Sequence, residues 1–179
     1  DQRRGGARHP VLSVLPDEGA SEHLALVTWL GTEVSGVSPL SALVVRFSDS
    51  DILSLGDPAG LALGETSLDA APIVLETTMH GWFVLALQGA NVDITFVSDD
   101  GSPPLATPIA LPAELRATAL SATLLGDNRA ALVLRGEDNR LQLFTLTMNA
   151  SRGSLRAELA AAPLRLDDGT SVPRSAPSV

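Results

Sequence analysis

Three residue types are missing from the 179-residue sequence: it has no cysteine, no lysine and no tyrosine. Without cysteine, the chain cannot form disulfide bonds, thiolate zinc sites, iron–sulfur clusters or a catalytic thiol. Without lysine, all 12 basic side chains are arginines, and 21 acidic residues leave a formal net charge of −9. No basic tract is present that could follow a phosphate backbone, so nucleic acid is not expected as a partner.

Long apolar runs are also missing, because Gly, Ser, Asp or Arg interrupts every stretch well before the ~18 to 20 residues that a spanning helix needs. No membrane span is therefore expected. The sequence begins with Asp1 instead of Met. A removed signal peptide, a cloned fragment or an internal cut would each explain this start equally well.

Motifs of catalysis are scarce. The three histidines, His9, His23 and His80, lack the i, i+2 or i, i+4 spacing that would place two imidazoles on one face for a metal ion. There is neither a Gly-x-Ser-x-Gly nucleophile motif nor a glycine-rich phosphate loop. We therefore predict that the protein is not an enzyme.

Polar segments bound the chain at both ends. Residues 1–9 are rich in Gly and Arg, and residues 167–179 are rich in Ser, Pro and Asp. Neither segment can bury enough apolar surface to offset the entropy lost on ordering, so both are predicted to be flexible tails around a domain at 10–166.

Within 10–166, apolar runs of five to eight residues alternate with turn-forming sequences. The turns include Pro-Asp-Glu-Gly at 16–19, His80-Gly81, Asp-Asp-Gly at 99–101 and Gly-Asp-Asn at 126–128. Asp, Asn and Gly tolerate the left-handed backbone of tight hairpins, so the pattern predicts an all-β fold. Residues 112–126 and 154–162 carry helix signals on their own, but a repeat pattern favours strands for both.

An internal repeat organises these strands. Phe47, Phe96 and Phe144 are 49 and 48 residues apart, and each follows an apolar strand that ends in Gly. A Gly-containing turn and another short apolar run come after each Phe. The spacing predicts three units of four antiparallel strands at about 10–70, 71–115 and 116–166, with an insertion at 32–41 in the first unit.

Units of this length, with Gly-containing turns between their strands, resemble the divergent four-stranded β-propeller repeats of secreted bacterial proteins, although no named family motif is present. The resemblance implies propeller-type blades and an extracytoplasmic, bacterial setting. Three blades do not close a ring, so the end faces would be apolar and would need further blades from another subunit or a second copy. The alternative is a single β-sandwich of about twelve strands.

Site candidates come from acidic turns and tryptophans. Asp49, Asp51, Asp99 and Asp100 occupy equivalent places in two units and supply oxygen atoms that calcium accepts, although Asp-rich turns also serve their own backbone. Trp29 and Trp82 lie outside the repeat register and are candidate interface anchors.

These features predict a non-catalytic interaction or structural subunit of a larger assembly, with no cofactor other than possible calcium. The alternatives are an extracellular module that binds a glycan or calcium, and a fragment of a larger propeller enzyme.

Overall fold

The computed structural model describes residues 6–15, 22–48, 51–54, 60–77, 80–126, 128–151, 153–160 and 163–165. The regular structure within these ranges consists entirely of β-strands, which confirms the all-β prediction. The strands are β1 (Arg8–Val14), β2 (Glu22–Leu30), β3 (Ser38–Ser48), β4 (Ile52–Ser54), β5 (Leu61–Thr66), β6 (Ile73–Thr77), β7 (Gly81–Gln88), β8 (Asn91–Ser98), β9 (Leu105–Ala110), β10 (Ala117–Gly126), β11 (Arg129–Gly136), β12 (Leu141–Ser151), β13 (Ser154–Leu159) and β14 (Leu164–Arg165).

The strands form three antiparallel sheets in chain order, each four strands wide. The first sheet has the order β1-β2-β3, and the fourth position is shared by β4 and β5, which pair with opposite ends of β3. The second sheet is β6-β7-β8-β9. The third is β10-β11-β12, and its fourth position is shared by β13 and β14, which pair with different stretches of β12. The predicted repetition of four-stranded units is therefore confirmed.

Each unit places its repeated Phe on the third strand, at Phe47 in β3, Phe96 in β8 and Phe144 in β12. The two sequences with helix signals are strands, as the repeat predicted: β10 covers Ala117–Gly126 and β13 covers Ser154–Leu159. Only residues 112–115 keep a turn, closed by the Leu115 N–H donating to the Pro112 carbonyl at 2.8 Å. Alternation of Leu120, Ala122 and Leu124 toward the core explains why β10 is extended.

The three sheets stack face to face, with the second sheet in the middle. One face of the second sheet presents Phe83, Ile94 and Phe96 to the third sheet. They pack in one cluster with residues of the third sheet that include Leu132 and Phe144. Its other face packs Trp82, Val84, Ala86 and Val97 against the first sheet. The described strands form a stack of three layers, and they do not close into a ring.

Equivalent Phe residues do not share a face. Phe96 and Phe144 face each other between the second and third sheets. Phe47, by contrast, lies on the opposite side of β3 from Ala42 and Val44, which pack against the second sheet. The repeat thus sets the strand that carries each Phe, but not the layer into which its ring points.

The three sheets are oriented alike, so that the connections between successive units lie at the same end of each sheet. Thr66 at the end of β5 and the backbone of Ser67 both donate to the Leu87 carbonyl at the end of β7. Leu111 donates to the Ala90 carbonyl, and Glu137 donates to the Arg116 carbonyl. The links between units therefore gather at one end of the stack. The β6–β7, β8–β9, β10–β11 and β12–β13 turns gather at the other, which we call the hairpin end.

The first strand begins at Arg8, inside the segment that the sequence predicted to be a tail. The Arg8 guanidinium explains the difference, because it donates to Asp69 Oδ1 at 2.7 Å and to Ser38 Oγ at 2.8 Å. His9 Nε2 lies 3.1 Å from the same Asp69 oxygen. These contacts tie the chain start to the link between the first two sheets.

Candidate interaction surfaces

The outer face of the first sheet is mainly apolar. Leu26, Leu40 and Val44 point toward the second sheet, so their strand neighbours must point away from it. We call the apolar part of this surface the outer apolar face; it consists of Leu12, Val14, Ala25, Val27, Trp29, Leu43, Val45 and Phe47, in register across β1, β2 and β3. Two polar residues lie on the same side: Ser41 pairs with Trp29, and the His23 ring lies 5.4 Å from that of Phe47. An uncovered apolar sheet face of this kind is typical of a docking surface.

Exposure varies across the outer apolar face. Leu12 is 66% exposed, whereas Ala25 is covered completely by its larger neighbours. The other six members are half-buried. The Trp29 ring reaches the residue before β5, because a Cβ built on Gly60 would lie 3.0 Å from its Cη2 atom. The face is therefore a broad, shallow apolar surface with Trp29 near one edge.

The opposite end of the stack is different. Strand alternation places both polar and apolar side chains on the outer face of the third sheet. The polar ones include Ser121, Arg135, Thr145 and Thr147, and the apolar ones are Ala119, Leu125, Ala131, Val133, Leu141, Leu143 and Leu164, of which Leu125 and Leu164 are exposed. The expectation that both end faces would be apolar therefore fits the first sheet better than the third. The stack has one mainly apolar end face and one mixed end face.

The two tryptophans occupy different environments. Trp82 is completely buried between the first and second sheets, and its indole N–H has no hydrogen-bond partner among the described residues. It anchors the packing of two sheets within the chain. Trp29 is the tryptophan that reaches a solvent-facing surface, as an interface anchor must.

A groove opens at the hairpin end between the second and third sheets. Its volume is about 680 Å³. The floor is apolar and is formed by Phe96, Pro103, Leu105 and Ala150. The rim is polar and carries the hydroxyls of Ser98, Ser102 and Ser151, together with the Asp100 carboxylate and the backbone at Gly153. A cleft of this size with an apolar floor and a few polar groups is typical of a ligand site.

The floor of the groove is held rigidly. The Phe96 ring packs on Phe83 with ring centroids 5.2 Å apart and an interplanar angle of 52°. On another side it approaches Gly81 so closely that a Cβ there would lie 2.9 Å from its Cζ atom. Gly81 thus leaves room for the ring, and the groove needs little rearrangement to accept a ligand.

Asp100 stands on the rim in a tight turn. Its Oδ1 atom accepts the Ser102 N–H at 2.8 Å, and its own N–H donates to Ser98 Oγ at 3.4 Å. Hydrogen bonds from Ser102 and Ser98 stabilise the ionised form and lower the pKa of Asp100 to about 2. The carboxylate is therefore charged at every physiological pH.

The acidic turns do not converge. Asp99 pairs with His80, whose Nδ1 atom lies 3.3 Å from Asp99 Oδ2, and its N–H donates to the His80 carbonyl. Asp51 lies in a separate turn that Ser48 caps, with the Asp51 N–H donating to Ser48 Oγ at 3.2 Å, and Asp49 lies outside the described residues. Within the described ranges, no three His, Asp or Glu side chains are grouped to hold a metal ion. The calcium role of these residues stays a prediction.

The sequence predicted apolar end faces and named Trp29 as an anchor, but it did not identify the other residues of the outer apolar face, although a signal for them exists. Residues 24–30 and 42–47 are apolar at nearly every position instead of at alternate ones. Such continuous runs are typical of strands covered on both faces. The groove had no comparable signal, because its floor combines residues more than 40 positions apart.

Comparisons of the chain with protein-family models, with curated proteins and with solved structures found no match. Nor does any described segment form a helix long and apolar enough to cross a membrane. Function must therefore be argued from the surfaces themselves.

Proposed function

We propose that the protein is a non-catalytic interaction subunit, built from propeller-type repeats, that docks a further β-sheet on its outer apolar face. The occupant is either a blade supplied by another subunit of a larger assembly or a second copy of the chain. The resemblance to repeats of secreted bacterial proteins supports an extracytoplasmic setting.

The observation that carries the proposal is the apolar character of the outer face. Within the chain, the second sheet uses Trp82, Val84 and Val97 to cover the inner face of the first sheet. The outer face carries side chains of the same kind and size, from Leu12 on β1 to Phe47 on β3. A sheet that is apolar on both sides is stable in water only when both sides are covered.

The size of the face fits this role. Three strands about 4.8 Å apart, each of about nine residues rising ~3.4 Å, give a surface of roughly 400 Å². Patches of this size lie within the ~300 to 600 Å² of the largest patch on a typical monomer, which is often functional. A standard interface buries ~800 Å² per partner, so loops around the sheet must contribute about half of the contact area.

Measurement of mass in solution tests the proposal. We expect the isolated protein to self-associate through the outer apolar face, so light scattering after size exclusion should give a mass above 18.6 kDa. The substitution Val45→Glu places a charge at the centre of the face and should return the protein to a monomer.

A matched control is available on the other end of the stack. Val45 and Thr145 are both half-buried, lie on the third strands of their sheets and pair with an alanine, Ala25 and Ala131 respectively. Thr145→Glu should leave the mass unchanged. A wild-type protein that stays a compact monomer of 18.6 kDa would exclude a second copy as the occupant of the outer apolar face.

A further inference from the structure

The first sheet carries a protruding arm that distinguishes it from the other two. The connection between β2 and β3 is seven residues long, against two between β7 and β8 and four between β11 and β12. We call residues 32–37 of this connection the β2–β3 arm. Val34 and Val37 exchange two backbone hydrogen bonds, of 2.8 and 3.2 Å, around a turn in which Ser35 and Gly36 both have positive φ. This is the conformation of a tight two-residue hairpin turn, so the arm has a defined shape.

The arm lies next to the outer apolar face. It begins three residues after Trp29, and its base is closed by the Gly31 N–H, which donates to the Pro39 carbonyl at 2.8 Å. Residues 32–36 are all exposed. Val34 is 66% exposed, as is Leu12 on the outer apolar face. The unit with the apolar face is therefore also the unit with an uncovered apolar side chain on an arm.

Charge favours a second copy of the chain as the occupant of this surface. The eight residues of the outer apolar face, and Ser41 and His23 beside them, include no Asp, Glu or Arg. The whole chain has a net charge of −9, so two copies repel each other wherever acidic surfaces meet. An uncharged face lets two copies meet without opposing like charges and without burying an unpaired charge.

The area that a stable pair needs favours a contribution from the arm. Each outer apolar face measures roughly 400 Å², so two faces alone would bury about 800 Å², which is typical of a crystal-packing contact. The arm adds two strands of three residues, or roughly 100 Å² on one side. Two faces and two arms together bury about 1,000 Å², which is the lower bound for a biological interface. The expected pair is a weak, reversible dimer.

We propose that two copies of the chain pair through their outer apolar faces about a two-fold axis, and that the β2–β3 arm of each copy packs on the other. This inference rests on the proposed function and identifies the occupant as a second copy. A two-fold interface uses the same surface on both copies, so the assembly stops at the dimer. The axis passes close to β2, the middle strand of the apolar face.

The chain has no cysteine, so a single introduced thiol tests the two-fold axis directly. Val27 lies on β2 at the centre of the face, and a two-fold axis along or across the strands brings it close to its own counterpart. A short bismaleimide should therefore convert Val27→Cys into a covalent dimer of twice 18.6 kDa. The matched control is Thr145→Cys, which is equally half-buried but lies on the outer face of the third sheet, and it should stay uncoupled.

Val34→Asp tests the arm without touching the core, because Val34 is exposed within the chain. Each dimer would lose two buried valine contacts, so its dissociation constant, measured by sedimentation equilibrium, should rise about ten- to hundredfold. Leu125→Asp is the matched control, since Leu125 is 60% exposed near the end of β10, and it should leave the constant unchanged. Added salt should strengthen the dimer of the wild type, because it screens the repulsion between two acidic copies.

The possible outcomes separate this inference from the proposed function. A wild-type protein that is monomeric at every measurable concentration would overturn the second copy and leave a blade of another subunit as the occupant. Association that Val45→Glu abolishes, without cross-linking of Val27→Cys, would overturn the two-fold pairing alone. Association that Val45→Glu leaves intact would overturn both proposals. Equal dissociation constants for Val34→Asp and Leu125→Asp would exclude the arm from the interface, and a dimer weakened by salt would contradict the charge argument.

Discussion

Substitution of Gly81 by alanine should destabilise the protein through a collision that the structure locates. Gly81 is the first residue of β7 and is buried. An added Cβ would overlap the Val97 carbonyl oxygen and would lie 2.9 and 3.0 Å from two atoms of the Phe96 ring. Real Cβ atoms rarely approach other atoms so closely, so the strand or the ring must move.

The size of the destabilisation depends on which atoms must move to make room for the added Cβ. The nearest atom belongs to the backbone of β8, which pairs with β7 over the whole strand, so the collision cannot be relieved by one side chain. Overpacking of this kind costs about 1 to 3 kcal/mol, and we take the upper end. Alanine also lowers the conformational entropy of the unfolded chain relative to glycine, which by itself would raise the free energy of unfolding by ~0.4 to 1 kcal/mol. The net loss in free energy of unfolding is therefore about 2 kcal/mol, or roughly 4 to 8 °C in Tm for a chain of this size.

Gly126→Ala is the matched control, because nothing lies within 4 Å of a Cβ at that strand position. It should leave stability unchanged or raise it by up to ~1 kcal/mol. Urea unfolding followed by tryptophan fluorescence measures both variants against the wild type. If Gly81→Ala unfolds at the same urea concentration as Gly126→Ala, the close packing of Phe96 on Gly81 is refuted.

Three further substitutions test the electrostatics and the polar groups of the core. Thr28→Val should raise the free energy of unfolding by about 1 to 2 kcal/mol in chemical denaturation, because the buried Thr28 hydroxyl has no hydrogen-bond partner among the described residues; a loss of stability would show that it is satisfied. Desolvation raises the pKa of Asp93, so its charge opposes folding above that pKa and the penalty disappears as pH falls through it. Asp93→Asn should therefore raise Tm at neutral pH and lose this advantage in acid, and an equal gain at both pH values would contradict the argument. Hydrogen bonds lower the pKa of Asp100 from 3.8 to about 2, so its contribution to stability is present above pH 3.8 and is lost as pH falls toward 2. Melting curves of Asp100→Asn should thus show a smaller drop in Tm than the wild type over that interval, whereas parallel curves would contradict it.

The fold class could be predicted because its signals are local. Apolar runs of strand length separated by Asp, Asn and Gly turns describe hairpins wherever they occur. The repeat added information that single segments lack: residues 112–126 carry helix signals, and only their equivalence to strands in the other units favoured β10. The Phe spacing located the third strand of each sheet for the same reason.

Layer assignment could not be predicted in this way. A shift of one residue in register moves a side chain to the other face of its sheet, and nothing local distinguishes the two outcomes. Phe47 and Phe144 illustrate this: their sequence contexts are similar, yet Phe47 lies on the outer apolar face and Phe144 lies in the core. For the same reason, the sequence did not determine which of Trp29 and Trp82 is buried between sheets and which reaches the surface.

The amino-acid sequence by itself determined the all-β class, the three four-stranded units and the absence of cysteine and lysine chemistry, because composition and hydrophobic periodicity act within one strand or one hairpin. Only the tertiary structure decided that the stack has one mainly apolar and one mixed end face, and that Asp100 shares a groove with Phe96, Leu105 and Ala150. Those properties depend on which sheet faces pack together. Packing is settled by contacts between residues far apart in the chain.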